Sequence, residues 1–203
     1  METSSPAEGS DPRRVGRPRS SAADAAILDA ALELFASSGY EGLRVEHVAE
    51  VAGVAKTTVY RRYPNKGELL HAALEHAQSP EPPAPYTESL AEDLFQMARR
   101  LRDKFASPGL GRLIPTMVDA SARHPEFAAA HHRFLAERRR YGLERIRLAM
   151  TQGELPADTD PELVLDLVGA TVFYRTFVTG SPLDDDTLRE AVRLALAGAS
   201  ATP

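Results

Sequence analysis

The chain has 203 residues and a formal net charge of −5, and 43% of its residues are apolar, which suits one large domain or two small ones. No apolar run approaches the roughly 18 residues of a membrane-spanning helix, and the N-terminus lacks the apolar segment of a secretory signal. The absence of cysteine excludes disulfides, thiolate metal sites and cysteine nucleophiles. We therefore expect a cytoplasmic protein with no membrane partner.

The chain begins with a basic arm that leads into a helix. Residues 1–19 are rich in Ser, Pro, Gly and Arg and contain almost no large apolar side chain, which predicts a disordered arm. A helix is expected from Ser21, because apolar residues then recur at helical spacing on one face. These residues are Ile27, Ala31, Leu34 and Phe35. Gly39 is expected to end the helix in a left-handed conformation.

Two short helices are predicted next, over 45–52 and 56–62, with Gly53 in the turn between them because a positive φ costs glycine little. Small or apolar residues would form the seam between the two helices. They are Val48, Ala49, Ala52, Val54 and Val59. This is the pattern of a helix-turn-helix. A further helix is expected to begin after Asn65, which can cap it, with Glu68 completing a capping box.

A proline-rich linker, residues 79–85, separates this part from a second helical part. The helices predicted after it run through Leu90 to Phe105 and over 110–122, 125–152, 161–179 and 186–197. Pro115 is expected to kink or break the second of them. No segment predicts a strand. The fold class is therefore all-α, with a helix-turn-helix domain over 20–78 and a larger helical domain over 86–203.

The predicted turn and second short helix lie in a stretch without acidic residues. Between Glu50 and Glu68 there is no carboxylate, although the chain as a whole is acidic. The second helix would present six polar or aromatic side chains outward: Lys56, Thr57, Thr58, Tyr60, Arg61 and Arg62. Cations can meet phosphates or guanine edges, and threonine can contact a phosphate or a thymine methyl. A solvated basic face is the alternative, but the helix-turn-helix frame favours DNA binding.

Residues 21–76 resemble the DNA-binding domain of the tetracycline repressor (TetR) family. The resemblance lies in Gly39-Tyr40, Val45-Glu46-His47-Val48-Ala49, Ala52-Gly53-Val54, Thr58-Val59-Tyr60, Tyr63, Asn65-Lys66 and Leu69-Leu70. It implies that the second short helix is the recognition helix and that double-stranded DNA with a near-palindromic operator is the partner. The remainder of the chain resembles the family only in architecture, as a variable helical domain that binds a small molecule and pairs into a dimer through its last two long helices.

The resemblance implies a role for each position of the recognition helix. Lys56, Thr57 and Thr58 would meet base edges or phosphates, and Tyr60 would contact a backbone phosphate. Arg61 and Arg62 lie where the family varies to set sequence preference. Lys66, at the start of the next helix, resembles a phosphate clamp.

The sequence departs from the family at Leu43 and Arg44, where a hydroxyl residue usually caps the first helix of the motif and touches phosphate. Arg44 can replace the phosphate contact by its charge. The cap must then come from elsewhere or be absent.

The basic arm allows two interpretations. Gly16-Arg17-Pro18 resembles the centre of an AT-hook, in which Arg17 and Arg19 would enter a narrow minor groove. An arginine directly before the glycine is missing, because Val15 stands there. The alternative is a solubilising tail that touches phosphates at most.

The second domain is expected to hold a small, largely apolar effector. We assign five residues to its pocket: Met97, Met117, His131, Phe134 and Tyr174. Neighbouring His131 and His132 would point about 100° apart on a helix, and His124 lies two turns away, so we predict no metal site there. No cofactor is expected.

The helix over 161–179 is apolar almost all round, so it needs a partner on a second side. A two-fold dimer provides one, and we expect Phe173, Phe177 and Leu188 at that interface. The predicted function is a dimeric repressor that a small molecule releases from its operator. An activator or a ligand-independent regulator of the same fold is the alternative, followed by a dimeric scaffold without DNA binding and a helical enzyme. No catalytic arrangement stands out in the sequence.

Overall fold

A computed structural model of the chain describes residues 19–77 and 85–200, and within those ranges every regular element is helical. The helices are α1 (Arg19–Gly42), α2 (Val45–Val51), α3 (Lys56–Arg62), α4 (Lys66–Ala77), α5 (Leu90–Ala106), α6 (Pro108–Arg123), α7 (Pro125–Gln152), α8 (Pro161–Tyr174), which continues as one π-helical turn (Arg175–Thr179), and α9 (Asp185–Ser200). The all-α prediction is confirmed. Residues 1–18 of the predicted arm, with Arg17, and residues 79–84 of the predicted linker lie outside the described residues, whereas Arg19 begins α1.

Glycine sets both turns of the N-terminal part, as the sequence predicts. Gly39 has φ 70° and breaks the regular helix of α1, so that the following residues form a separate last turn. Gly53 has φ 65° between α2 and α3, a conformation that residues with a Cβ rarely adopt. The seam that it allows is packed, with Val48 and Val59 fully buried and Ala49 nearly so. The helix-turn-helix therefore forms where the sequence places it.

Two apolar cores hold the chain together, and the first crosses the predicted domain boundary. It joins α1, α2, α3 and α4 to α6 and the first half of α7, through residues such as Phe35, Leu70, Met117 and Phe127. The second core joins α5, the second half of α7, α8 and α9. Helices α1 and α4 consequently pack on α6 and α7, so the N-terminal part does not depend on the chain connection alone for its position.

Helix α6 differs from expectation because it runs without interruption from Pro108 to Arg123. The predicted break at Pro115 is wrong. Pro115 lies on the exposed side of the helix, where water can satisfy the carbonyl that a proline leaves unpaired.

Asn65 caps α4 as predicted. Its Oδ1 accepts the backbone N–H of Glu68 at 2.9 Å. The Glu68 carboxylate, however, pairs with Arg133 of α7 at 2.5 Å. Glu68, the second residue of the predicted capping box, therefore joins α4 to α7.

We expect Asn65→Ala to lower the free energy of unfolding by about 1 kcal/mol, because one N–H at the start of α4 loses its acceptor. Urea denaturation monitored by circular dichroism measures this loss. Asn65→Asp keeps an acceptor at the same place and should remain close to the wild type. Equal losses in the two variants would contradict a capping role.

Candidate nucleic-acid interface

Helix α3 presents one apolar side chain inward and several polar ones outward. Val59 is fully buried against α2, whereas Lys56, Thr57, Tyr60 and Arg61 are exposed. Thr58 is half-buried. With only seven residues, α3 depends on this single anchor and on the turn at Gly53 for its orientation. The exposed edge of α3 is the surface that the sequence assigns to DNA.

Lys56 is paired within the motif itself. Its ammonium forms an ion pair with Glu46 in the first turn of α2 and lies 5.5 Å from the centre of the Tyr60 ring. The hydrogen bond to Lys56 lowers the pKa of Glu46, and the same bond raises the pKa of Lys56. Lys56 is thus an exposed cation that is paired within the motif.

Arg62 turns toward α1 and away from the exposed edge. Its guanidinium lies 2.7 Å from Asp24, and the hydroxyl of Tyr63 donates to the same carboxylate at 3.4 Å. Arg61, by contrast, has no ion pair with any residue that the structure describes. Arg61 is thus an exposed cation on the outer edge of α3.

Arg44 precedes α2 with an extended backbone, and no side chain caps that helix. The missing hydroxyl cap that the sequence indicates is thus seen directly. Arg44 is exposed beside Glu46, His47 and Glu50, which together line a shallow depression. A phosphate contact by Arg44 remains a prediction of the sequence.

Lys66 departs from its predicted role as a phosphate clamp. Its Nζ donates to the backbone carbonyl of Tyr40 at 2.5 Å and lies 4.2 Å from the centre of the Tyr40 ring. Lys66 is half-buried, and this burial lowers its pKa. We therefore assign Lys66 to the contact between α1 and α4 and not to the DNA-facing edge.

The five residues predicted for the effector pocket lie in different packing environments. Met117 and Phe134 are buried in the first core, whereas Met97 packs against the second. Tyr174 is 56% exposed on the outer face of α8, so its assignment to the pocket is corrected. His131 is buried, and its Nδ1 lies 2.7 Å from the hydroxyl of Ser121. Burial is the main cause of the lowered pKa of His131.

The histidines that invite a metal interpretation have other partners. His131 lies between the rings of Phe127 and Phe134, and His124 packs against Tyr40 with ring centres 4.4 Å apart. In the described ranges, no cluster of three or more His, Asp or Glu side chains could hold an ion. The same ranges include no helix that is both long and apolar enough to cross a membrane.

The residues predicted for the dimer interface lie in two environments. Phe173 and Phe177 are half-buried, and the centres of their rings lie 5.3 Å apart. The ring centre of Phe105 on α5 lies 5.0 Å from that of Phe177. Leu188 is 1% exposed in the second core, so it cannot contact another chain and its assignment is corrected. The exposed apolar side chains of α8 follow a different stripe: Leu163, Leu167, Tyr174 and Val178.

Two family matches cover most of the chain. Residues 27–73 match bacterial regulatory proteins of the tetR family, and residues 84–195 match the tetracyclin repressor-like C-terminal domain. The chain belongs to the TetR family of DNA-binding transcriptional regulators. Helices α2 and α3 lie within the part of the chain that matches the tetR-family regulators.

Individual relatives agree with this assignment. YdeS of Bacillus subtilis, an uncharacterized HTH-type transcriptional regulator, is 30% identical over 188 residues, which are 92% of this chain and 94% of that protein. The DNA-binding transcriptional repressor TetR of Mycobacteroides abscessus is 32% identical over 79% of this chain and 85% of its own length. The crystal structure of the TetR-family regulator SCO0332 matches with a TM-score of 0.69 and 29% identity, over 89% of this chain and 99% of that chain.

Sequence reasoning misses two polar clusters of this TetR-family protein. The first is a buried ion-pair group in which Arg145 contacts Asp93 and Glu154. The second joins Tyr40 to Glu126 by a 3.0 Å hydrogen bond across 86 positions of the chain. The pairs Arg145–Asp93 and Tyr40–Glu126 have no local sequence signal, because each joins two helices that are distant in the sequence.

Proposed function

We propose that the protein is a dimeric repressor that binds a near-palindromic operator and is released from it by a small molecule. The observation that carries the proposal is the exposed edge of α3, which bears Thr57, Tyr60 and Arg61 around a fully buried Val59. The relative from Mycobacteroides abscessus is described as a transcriptional repressor, which supports the same sign of regulation.

The dimer would form through the exposed stripe of α8 together with α9. The stripe consists of Leu163, Leu167, Tyr174 and Val178, and Leu194 of α9 is exposed as well. A groove of about 400 Å³ runs between the two helices, lined in part by Leu163, Leu167, Ala195 and Gly198. An apolar stripe of this extent is expected to be covered by another protein surface. A second copy covers it by the same residues on both sides.

Such a dimer would present two α3 helices to one side of a duplex. Dimeric helix-turn-helix proteins place their recognition helices in successive major grooves, roughly 34–36 Å apart. An effector that binds more tightly to a conformation with the wrong separation lowers DNA affinity by linkage.

We place the effector site near Met117, His131 and Phe134, where α6 and α7 meet the core of the DNA-binding part. The His131–Ser121 pair is a polar group in otherwise apolar surroundings. Thermal-shift screening of small apolar compounds, followed by measurement of DNA release, tests this site.

Arg61→Ala is expected to weaken operator binding by about 1–3 kcal/mol for each half-site, because Arg61 is exposed on α3 and forms no ion pair within residues 19–77 and 85–200. Fluorescence anisotropy with duplexes from the upstream region of its own gene measures this loss. Arg147→Ala, which removes an exposed arginine from α7, is the matched control and should bind like the wild type. A wild-type protein that shows no specific shift at moderate salt would refute the proposal.

A further inference from the structure

Tyr40 connects the DNA-binding part to α7. It lies just after the break at Gly39, is buried, and donates its hydroxyl proton to Glu126 Oε1 at 3.0 Å. Its ring packs against His124 and Phe127, at 4.4 and 5.3 Å between ring centres. Burial, and then the hydrogen bond to Glu126, raises the pKa of Tyr40, so the phenol stays a donor at physiological pH.

The first turn of α4 meets the same place. Lys66 donates to the carbonyl of Tyr40, and the adjacent Gly67 packs so closely on α7 that a Cβ there would lie 3.0 Å from the carbonyl oxygen of Glu126. The charge of Glu126 raises the pKa of Lys66 and so offsets part of the effect of burial. A backbone hydrogen bond at Glu126 and the proton donated by Tyr40 lower the pKa of this carboxyl group. Glu126 therefore remains a charged acceptor.

These contacts fix both ends of the recognition motif against one helix of the C-terminal part. Helix α3 is connected to α1 through α2 and to α4 through residues 63–65. Tyr40 at the end of α1 donates a hydrogen bond to the Glu126 side chain, and Gly67 at the start of α4 packs against the Glu126 backbone carbonyl. A shift of the first turn of α7 would therefore carry α1 and α4 with it, and α3 between them.

We propose that Glu126 is a positioning residue for DNA binding, which sets the separation of the two recognition helices through Tyr40, Lys66 and Gly67. We call these four residues the α7 latch. The proposal rests on the proposed dimeric operator binding. Through the latch, an effector that moves α7 would change the distance between the α3 helices without touching the helix-turn-helix.

The latch predicts a loss of spacing preference and not only a loss of affinity. The test uses Tyr40→Phe, which removes one hydroxyl from a residue that remains packed, and operator duplexes in which one base pair is inserted or deleted between the half-sites. The wild type should discriminate strongly between these duplexes. Tyr40→Phe and Glu126→Ala should reduce that discrimination by about tenfold. Glu126→Gln keeps an acceptor oxygen and should restore part of it.

Tyr63→Phe is the matched control, because it removes a phenolic hydroxyl from the same domain whose partner, Asp24, lies within α1. The control should keep the spacing preference of the wild type. If Tyr40→Phe weakens binding to every duplex by the same factor, the residue is merely structural and the positioning role is refuted.

Amide hydrogen exchange tests the latch without DNA. In Tyr40→Phe and Glu126→Ala, the amides of Leu69 and Leu70 should exchange about tenfold faster or more, because a hydrogen bond to a charged acceptor is lost, while α8 and α9 stay unchanged. Unchanged exchange in α4 would overturn the latch whatever the protein binds. A wild type that binds no duplex would refute the proposed function alone, and exchange would still decide the latch.

Discussion

Replacing Arg145 with alanine is expected to lower the free energy of unfolding by about 3–5 kcal/mol, because it leaves a buried carboxylate without its partner. Arg145 is 1% exposed and Asp93 is 6% exposed. The Nε of Arg145 donates to Asp93 Oδ2 at 2.6 Å, and both terminal nitrogens donate to Glu154 Oε1 at 3.1 Å. Urea denaturation followed by circular dichroism measures the loss.

The cluster around Arg145 ties together three segments of the C-terminal part. Asp93 Oδ1 also accepts the backbone N–H of Thr87, and Glu154 Oε2 accepts that of Leu90. The start of α5, the middle of α7 and the turn after α7 therefore share one hydrogen-bond network. Because such a network acts as a unit, we expect the double variant Asp93→Ala/Arg145→Ala to lose less stability than the sum of its single variants.

Arg123→Ala is the control for Arg145→Ala. It breaks an exposed ion pair with Asp119 one helical turn away, and exposed pairs of this kind contribute little to stability. If Arg145→Ala cost no more than Arg123→Ala, the buried cluster would have no structural role.

The parts of the fold that the sequence predicts correctly depend on local chemistry. The turn at Gly53 depends only on the ability of glycine to adopt a positive φ. Asn65 caps a helix that begins at the next residue. The spacing of Val48, Ala49 and Val59 defines the seam of the motif because each helix buries one face. Such signals lie within a few residues of the feature that they predict.

The orientation of long charged side chains could not be predicted, because their partners lie on distant segments. Lys66 and Arg62 are basic and lie at positions typical of DNA contacts. In the structure, however, Lys66 donates to the carbonyl of Tyr40, and Arg62 pairs with Asp24. Nothing in the sequence around Arg145 indicates that its side chain is buried, although it is among the most buried residues of α7. A cation that can reach either a phosphate or an internal acceptor leaves both outcomes open until the fold is known.

The composition of the helix over 161–179 predicts an exposed apolar side but not its position. Its apolar residues face two ways, since Val164, Val168 and Val172 face the core while a second apolar side is exposed. Composition does not show which side that is. The half-buried Phe173 and Phe177 pack toward Phe105 of the same chain, and the exposed stripe runs through Leu163, Leu167, Tyr174 and Val178.

Leu167→Glu is expected to yield a monomer whose operator affinity is lower by about 100-fold or more, because the second recognition helix no longer binds as part of the same molecule. Leu167 is 49% exposed and lines the groove between α8 and α9. A glutamate there costs the single protomer little, but two-fold pairing would bury it and bring two like charges together. Light scattering measures the oligomeric state, and anisotropy measures the affinity.

Leu135→Glu separates interface loss from a general effect of an added charge. Leu135 is 40% exposed on α7 and is not among the residues that line the groove between α8 and α9, so the same substitution there should leave a dimer with wild-type operator affinity. A dimeric Leu167→Glu protein would place the interface elsewhere. A monomeric Leu167→Glu protein with full operator affinity would instead show that one helix-turn-helix suffices, since the paired α3 helices would then contribute no added affinity.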